Sequence, residues 1–156
     1  MKNLTSIVLG GTRGIGGAIG DRLSEITSVS RYSSLEVDTG NLENIDRLIK
    51  ENPKTDVLVL NTGGPPAIDL FNITDDHWEK YHNQLFLGFC KVLQNIRIND
   101  GGFVFLVSSF NIKEPNPNLI LSNAYRLAFV SVFKSLSKIM AERKVCSNPG
   151  CEKKFT

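Results

Sequence analysis

Ser6-Ile7-Val8-Leu9-Gly10-Gly11-Thr12-Arg13-Gly14-Ile15-Gly16 is the stretch on which the fold of this chain turns. Its apolar half reads as the end of a buried strand, and its glycines at 10, 14 and 16 as a tight turn that feeds directly into a helix. A strand that ends in this way lets the backbone come close to a pyrophosphate, because glycine has no Cβ in the path. The helix that follows aims its free N–H groups and positive dipole end at the anion. Alone, such a loop is equally compatible with a flexible turn.

Strand-like and helix-like periods alternate from end to end, the α/β signature. Strands are expected at about 4–9, 27–31, 34–37, 55–61 and 103–108, and helices at about 14–25, 41–51, 75–96 and 122–143. Val57-Leu58-Val59-Leu60 and Phe103-Val104-Phe105-Leu106-Val107 are continuously apolar, as strands buried on both faces of a parallel sheet should be. In the last helix, Leu127, Val130, Phe133 and Met140 follow helical spacing. Pro65, Pro66, Pro115 and Pro117 punctuate the loops after two of the strands, on the sheet edge where ligands bind.

With 156 residues, 41% of them hydrophobic and 22% charged, the chain makes one globular domain with a real core. The formal charge of +2 gives no electrostatic case for nucleic acid or an anionic membrane surface. An odd count of three cysteines fits a reducing compartment, and the N-terminus leaves no room for a signal peptide, so a cytoplasmic protein is expected. No apolar run approaches a membrane span. His77 and His82 do not share a helix face, and Cys146 with Cys151 resembles only the front half of a zinc finger, so no metal site is expected.

Two further segments extend the glycine loop: Leu60-Asn61-Thr62-Gly63-Gly64-Pro65-Pro66, and Val107-Ser108-Ser109 followed by Ser122-Asn123-Ala124-Tyr125-Arg126. In this order the three segments resemble the short-chain dehydrogenase/reductase family over about residues 4–143. The resemblance implies a Rossmann-type three-layer sandwich with a parallel sheet of about five strands, in the order 3-2-1-4-5. It implies a dinucleotide held by Gly10, Thr12, Arg13, Gly14, Ile15 and Gly16, with Asn61, Thr62 and Gly63 packed beside the adenosine and Asp38 touching the adenine amino group.

Charge bears on which dinucleotide. NAD sites place an acid about 20 residues past the loop for the ribose hydroxyls, whereas NADP sites place arginine against the 2′-phosphate. Here Val29-Ser30-Arg31-Tyr32-Ser33-Ser34 carries no acid, and Arg13 lies in the loop itself. Arg13 and Arg31 therefore favour NADP, with NAD possible and ordinary solvated surface charges as the competing reading.

The catalytic segment departs from the family. Family enzymes hold the substrate oxygen with a serine after the fifth strand, donate the proton from a tyrosine 13 residues later, and set a lysine four beyond that. From Ser109, the count puts Ser122 at the tyrosine position and Arg126 at the lysine position. A serine is a far weaker acid than a phenol. Arg126 keeps the charge and can grip the nicotinamide ribose, but it cannot relay a proton. Tyr125, three residues after Ser122, offers a partial substitute, and helix capping is the bland alternative for Ser122-Asn123. The segment from Lys113 to Arg126, with Gly63-Gly64-Pro65-Pro66, resembles a subgroup similar to β-ketoacyl carrier-protein reductases that also carries Ser and Arg here. The family's further active-site asparagine has no match, because counting from Trp78 reaches Leu85, with Asn83 two residues early.

The expected organisation is a nucleotide-binding domain over 1–144 and a short polar tail over 145–156, too short to supply the strand and lid with which family members continue. The strand at 103–108 would then be an edge. Three functions stay open: hydride transfer between nicotinamide and a small-molecule carbonyl or alcohol, NADP binding without chemistry, and a truncated gene product. A homo-oligomer through the helices at 75–96 and 122–143 is expected.

Overall fold

The opening apolar run forms β1 (Thr5–Leu9), which pairs in parallel with β2 (Ser28–Tyr32) on one side and β3 (Lys54–Leu60) on the other. The computed structural model describes residues 4–148. Beyond β3 lie β4 (Arg97–Leu106) and β5 (Cys146–Ser147), giving one five-stranded parallel sheet in the order β2-β1-β3-β4-β5. Parallel neighbours need crossovers, and helices α1 (Gly14–Ser24), α2 (Leu42–Glu51), α3 (Asp75–His82), α4 (Gly88–Asn95) and α5 (Ile120–Ala141) supply them. This is the expected Rossmann-type sandwich.

Strand alternation divides the core. Ile7, Leu9, Leu58, Leu60 and Val104 face α2, α4 and α5, where Phe89, Phe129 and Phe133 fill the main cluster. Val8, Val57 and Val59 face α1 through Ile19 and Leu23. A third cluster, around Tyr81, Leu85 and Leu121, sits apart beneath the loops. Between α3 and α4 the helix widens into a π turn at Asn83–Leu87, closed by the Gly88 N–H to the Asn83 carbonyl. Gly88 is needed there, since a Cβ would fall 2.4 Å from the Thr39 carbonyl oxygen.

Two expectations about the sheet edges are corrected. Residues 34–37 do not form a strand: Glu36 catches Ser33, and the Glu36 and Val37 N–H groups donate back to the Ser33 carbonyl, so the chain turns with Val37 tucked inward. At the opposite side β4 is not an edge. Phe103 pairs with Cys146 and Val104 with Ser147, anchored by Val145, which is 3% exposed. Cys151 lies outside the described residues, as does the half-finger reading that needs it. No helix among the described residues is long and apolar enough to cross a membrane.

Candidate functional site

Leaving β1, the chain enters Gly10 in the left-handed region, with φ of 57°. Glycine is required twice over, because a Cβ would also lie 2.7 Å from Asn61 Nδ2. That Asn61 nitrogen donates to the Gly10 carbonyl at 3.1 Å, tying the end of β3 to the loop. Gly16 completes the interlock: its Cβ would fall 2.1 Å from the Gly10 oxygen and 2.6 Å from the Asn61 amide. Gly14, also left-handed at φ 56°, has nothing within 4 Å of a Cβ position and opens to solvent.

The N-terminus of α1 therefore stands uncovered. Arg13 is its cap residue but makes no side-chain cap bond, and the first turn holds no acid. Its free N–H groups and positive dipole end suit an anion. Gly10, Thr12, Arg13, Gly14 and Ile15 form one wall of a cleft of about 820 Å³ at the C-terminal edge of the sheet. Gly16 lies behind that wall.

The chain after β2 makes the second wall, through Ser33, Ser34, Leu35, Val37, Asp38 and Thr39. The Ser33 N–H and hydroxyl both donate to Glu36 Oε2, at 2.9 and 2.8 Å. These bonds, the backbone one first, hold the Glu36 carboxyl below its ordinary pKa. Asp38 faces the cleft while its Oδ1 accepts from the Gly40 N–H at 2.8 Å. Asn61, Thr62, Gly63 and Gln84 close the far side. Thr62 bonds Thr39 hydroxyl to hydroxyl at 2.9 Å.

Arg31, expected beside Arg13 as a partner for a 2′-phosphate, lines no part of this cleft. It shares its strand face with Val29, which packs on the α1 cluster, so its guanidinium crosses Gly20 and pairs with Asp21 at 2.6 Å. A Cβ on Gly20 would sit 2.9 Å from Arg31 Nε. Arg13 is the cation that remains on the cleft.

Of the expected catalytic residues, Ser122 and Arg126 come together. Ser122, buried in the first turn of α5, accepts from Arg126 Nε at 3.2 Å, one helical turn away. Arg126 Nη2 donates to the Thr62 and Gly63 carbonyls at 3.3 and 3.5 Å, so the side chain braces that loop from behind the cleft wall. Burial pushes its pKa below the usual guanidinium value, and among the described residues no carboxylate pairs with it. Helix α5 has no side-chain cap bond, which sets aside capping as the work of Ser122. Ser109 instead caps the short turn Phe110–Ile112, its Oγ accepting from the Asn111 N–H at 3.2 Å.

Tyr125 is turned away from that pair. Its hydroxyl donates to the Trp78 carbonyl at 3.1 Å, its ring meets Trp78 edge-on at 6.0 Å, and burial raises its pKa. Three residues along a helix rotate a side chain by about 300°, which here carries Tyr125 into the third cluster. Its side chain is thus not brought to the Ser122–Arg126 pair. Leu85, at the position counted for the asparagine, is 1% exposed in the same cluster. The polar residue on the cleft is its neighbour Gln84, which the count passed over; Ser33, Ser34 and Thr39 line the cleft too and were not among the expected site residues. An amide beside an apolar position of the helix was the available signal.

No family model matches the sequence, and no curated protein matches it. Solved structures do match. A small-chain dehydrogenase superposes with a TM-score of 0.80 at 23% identity, over 90% of this chain and 78% of that one. A blue fluorescent protein from a metagenomic library, solved with NADPH, gives 0.81 at 20% over 91% and 70%. L-Sorbose reductase from Gluconobacter frateurii, solved with NADPH and L-sorbose, gives 0.77 at 18% over 94% and 68%. Sheet order, cleft and these likenesses together define a Rossmann-type domain, similar in fold to these dehydrogenases and reductases.

Proposed function

We propose that this chain is an NADP-dependent oxidoreductase of short-chain dehydrogenase/reductase type, acting on a small-molecule carbonyl or its alcohol. The interlocked cradle of Gly10, Gly16 and Asn61 carries this reading, since it bares the N-terminus of α1 at a cleft large enough for a dinucleotide. When bound, the dinucleotide supplies or accepts the hydride at its nicotinamide ring. Thr12, Gly14 and Ile15 line the pyrophosphate seat, and Arg13 supplies charge for a 2′-phosphate. Glu36 does not line the cleft, and Arg13 is the cation among its lining residues, which favours NADP over NAD. Asp38 faces the adenine, and Asn61, Thr62 and Gly63 flank the adenosine.

At the reacting end, Ser109 orients the substrate oxygen. The Ser122 oxygen already accepts from Arg126, so its own proton is the one left to donate to substrate or water. Arg126 stays charged and holds the Thr62–Gly63 loop, and thereby the ribose that rests on it. An aliphatic hydroxyl is a weak acid, so turnover is slow. A second reading, a nucleotide-binding module without chemistry, is favoured by the engaged Tyr125 phenol and the apolar Leu85. The chain assembles as a homo-oligomer through α5 and the helices at 75–95, a reading supported by α5 leaving Leu127 53% and Ile139 65% exposed.

Fluorescence titration with NADPH and NADH tests the cofactor, and reduction of a panel of ketones tests the chemistry. NADPH binds more tightly, and Arg13→Ala narrows the difference. Equal affinities in the unmodified protein overturn the assignment.

A further inference from the structure

A guanidinium withdrawn from water is destabilising unless hydrogen bonds and a counter-charge compensate it. Arg126 has the bonds without the counter-charge. Its Nε donates to Ser122 Oγ and its Nη2 to the Thr62 and Gly63 carbonyls, so two of its three nitrogens are committed to neutral acceptors of the fold. Among the described residues no ion pair includes it. Burial depresses its pKa for that reason, yet a guanidinium stays protonated. Nη1 bonds no described residue and is not among the buried side-chain atoms left without partners, so it meets solvent with two hydrogens to donate.

The surroundings of Arg126 decide what that nitrogen can meet. The residue does not line the dinucleotide cleft, where Arg13 and the N-terminus of α1 face the phosphates. It stands beside Ser122, the hydroxyl read above as the proton donor, at 3.2 Å. A substrate oxygen taking that proton sits about 2.7 Å from Oγ, and hence within about 6 Å of Arg126 Nε. In a 2-oxo acid the carboxylate is bonded directly to the carbonyl carbon, so its oxygens lie about 3 Å from the carbonyl oxygen. Such a substrate brings the absent counter-charge to the guanidinium, in the planar form that arginine binds best. A neutral ketone leaves the charge uncompensated.

We propose that Arg126 sets the substrate class: its free Nη1 binds the carboxylate of a short 2-oxo acid whose carbonyl oxygen lies at Ser122. The proposal rests on the oxidoreductase reading above. The carbonyl carbon takes the hydride from the reduced nicotinamide, the carbonyl oxygen takes the Ser122 proton, and Ser122 regains a proton from water. The product is the 2-hydroxy acid, with the nicotinamide oxidised.

The test is isothermal titration calorimetry of the full chain loaded with NADP+, which cannot reduce a ketone, so that binding is read without turnover. The probes are 2-oxobutanoate, 2-oxopentanoate and phenylpyruvate, each against its methyl ester. The unmodified protein binds acid more tightly than ester. A hydrogen bond to a charged group is worth about ten- to hundredfold in affinity, so Arg126→Gln weakens the acids by about that factor and leaves the esters nearly unchanged. Arg126→Lys, which keeps the charge, keeps the preference. Equal weakening of acid and ester by Arg126→Gln overturns the proposal and leaves Arg126 only a brace for the Thr62–Gly63 loop. So does an unmodified protein that binds no acid more tightly than its ester. Thermal melts check each variant. Should Arg126→Gln fail to fold, the Arg126 side-chain nitrogen signals of the unmodified protein decide: the acid shifts them and the ester does not, and signals that ignore the acid overturn the proposal. If NADP+ itself does not bind, the dinucleotide reading fails and the proposal with it; if it binds and no acid is preferred, the proposal fails alone.

Discussion

The side-chain amide of Asn148 bonds both backbone groups of Leu106, its Oδ1 accepting from the N–H at 2.7 Å and its Nδ2 donating to the carbonyl at 3.1 Å. The Asn148 N–H also donates to the Val104 carbonyl at 3.3 Å. A side chain thus continues the ladder where the two-residue strand β5 stops, and it blunts an edge that would otherwise offer a pairing template. Asn148→Ala is expected to cost about 1–2 kcal/mol. Hydrogen exchange at the Leu106 amide should rise well above the global unfolding rate, and light scattering should become concentration-dependent.

Two glycines in α1 should respond very differently to the same change. A Cβ at Gly16 meets backbone at 2.1 Å, which cannot yield, so Gly16→Ala should lose nucleotide binding and several kcal/mol of stability. At Gly20 the nearest atom is the far end of Arg31, which can swing away. There the helix gains about 0.5–1 kcal/mol from alanine, which offsets the lost Asp21 contact, and Gly20→Ala should melt near the unmodified protein. Circular dichroism melts and NADPH titration check both.

Tyr125→Phe removes a bond to the Trp78 carbonyl and should cost about 1 kcal/mol of stability while leaving any reductase rate unchanged. Ser122→Ala should lower the rate with little change in NADPH affinity. The opposite pattern, a rate that depends on the Tyr125 hydroxyl, would falsify the assignment of the proton to Ser122.

Glu36 should titrate below the ordinary carboxylate range because Ser33 binds its ionised form twice. A depressed folded pKa means that the turn is stabilised above the ordinary carboxylate pKa and loosens as pH falls through the lowered value. Ser33→Ala should raise the Glu36 midpoint only in part, because the larger contribution, from the backbone N–H, survives. Carbon chemical shifts of the Glu36 carboxyl follow this directly, and a full return to the ordinary value would show that the backbone bond is absent.

The glycine cradle was legible because close approach of backbone to backbone leaves glycine no substitute, so Gly10 and Gly16 announce their contacts with Asn61. Arg31 was not legible. β2 is a half-buried edge strand, and its residues Ser28, Val29 and Ser30 give no apolar alternation to say which side the arginine faces. Nor could spacing find Gln84. A regular helix counted from Trp78 has no place for the wider π turn, and the turn decides which residue meets the cleft. Cys146–Ser147 is too short for any periodicity to register, and only its pairing with Phe103 and Val104 reveals it as a strand.

The π turn lets one continuous helix serve two separate interiors. Tyr81 and Leu85 before and within it fill the third cluster, while Phe89 and Val92 beyond it fill the main core. The turn takes up one residue more than a regular helical turn does, so forcing Asn83–Leu87 into regular winding at its present length would turn everything downstream by about 100° against everything upstream. Gly88 would leave the Thr39 carbonyl, and either Phe89 or Tyr81 would lose its socket. The segment is in this sense a mechanical differential between two packed clusters, and its wider winding is what holds their phase.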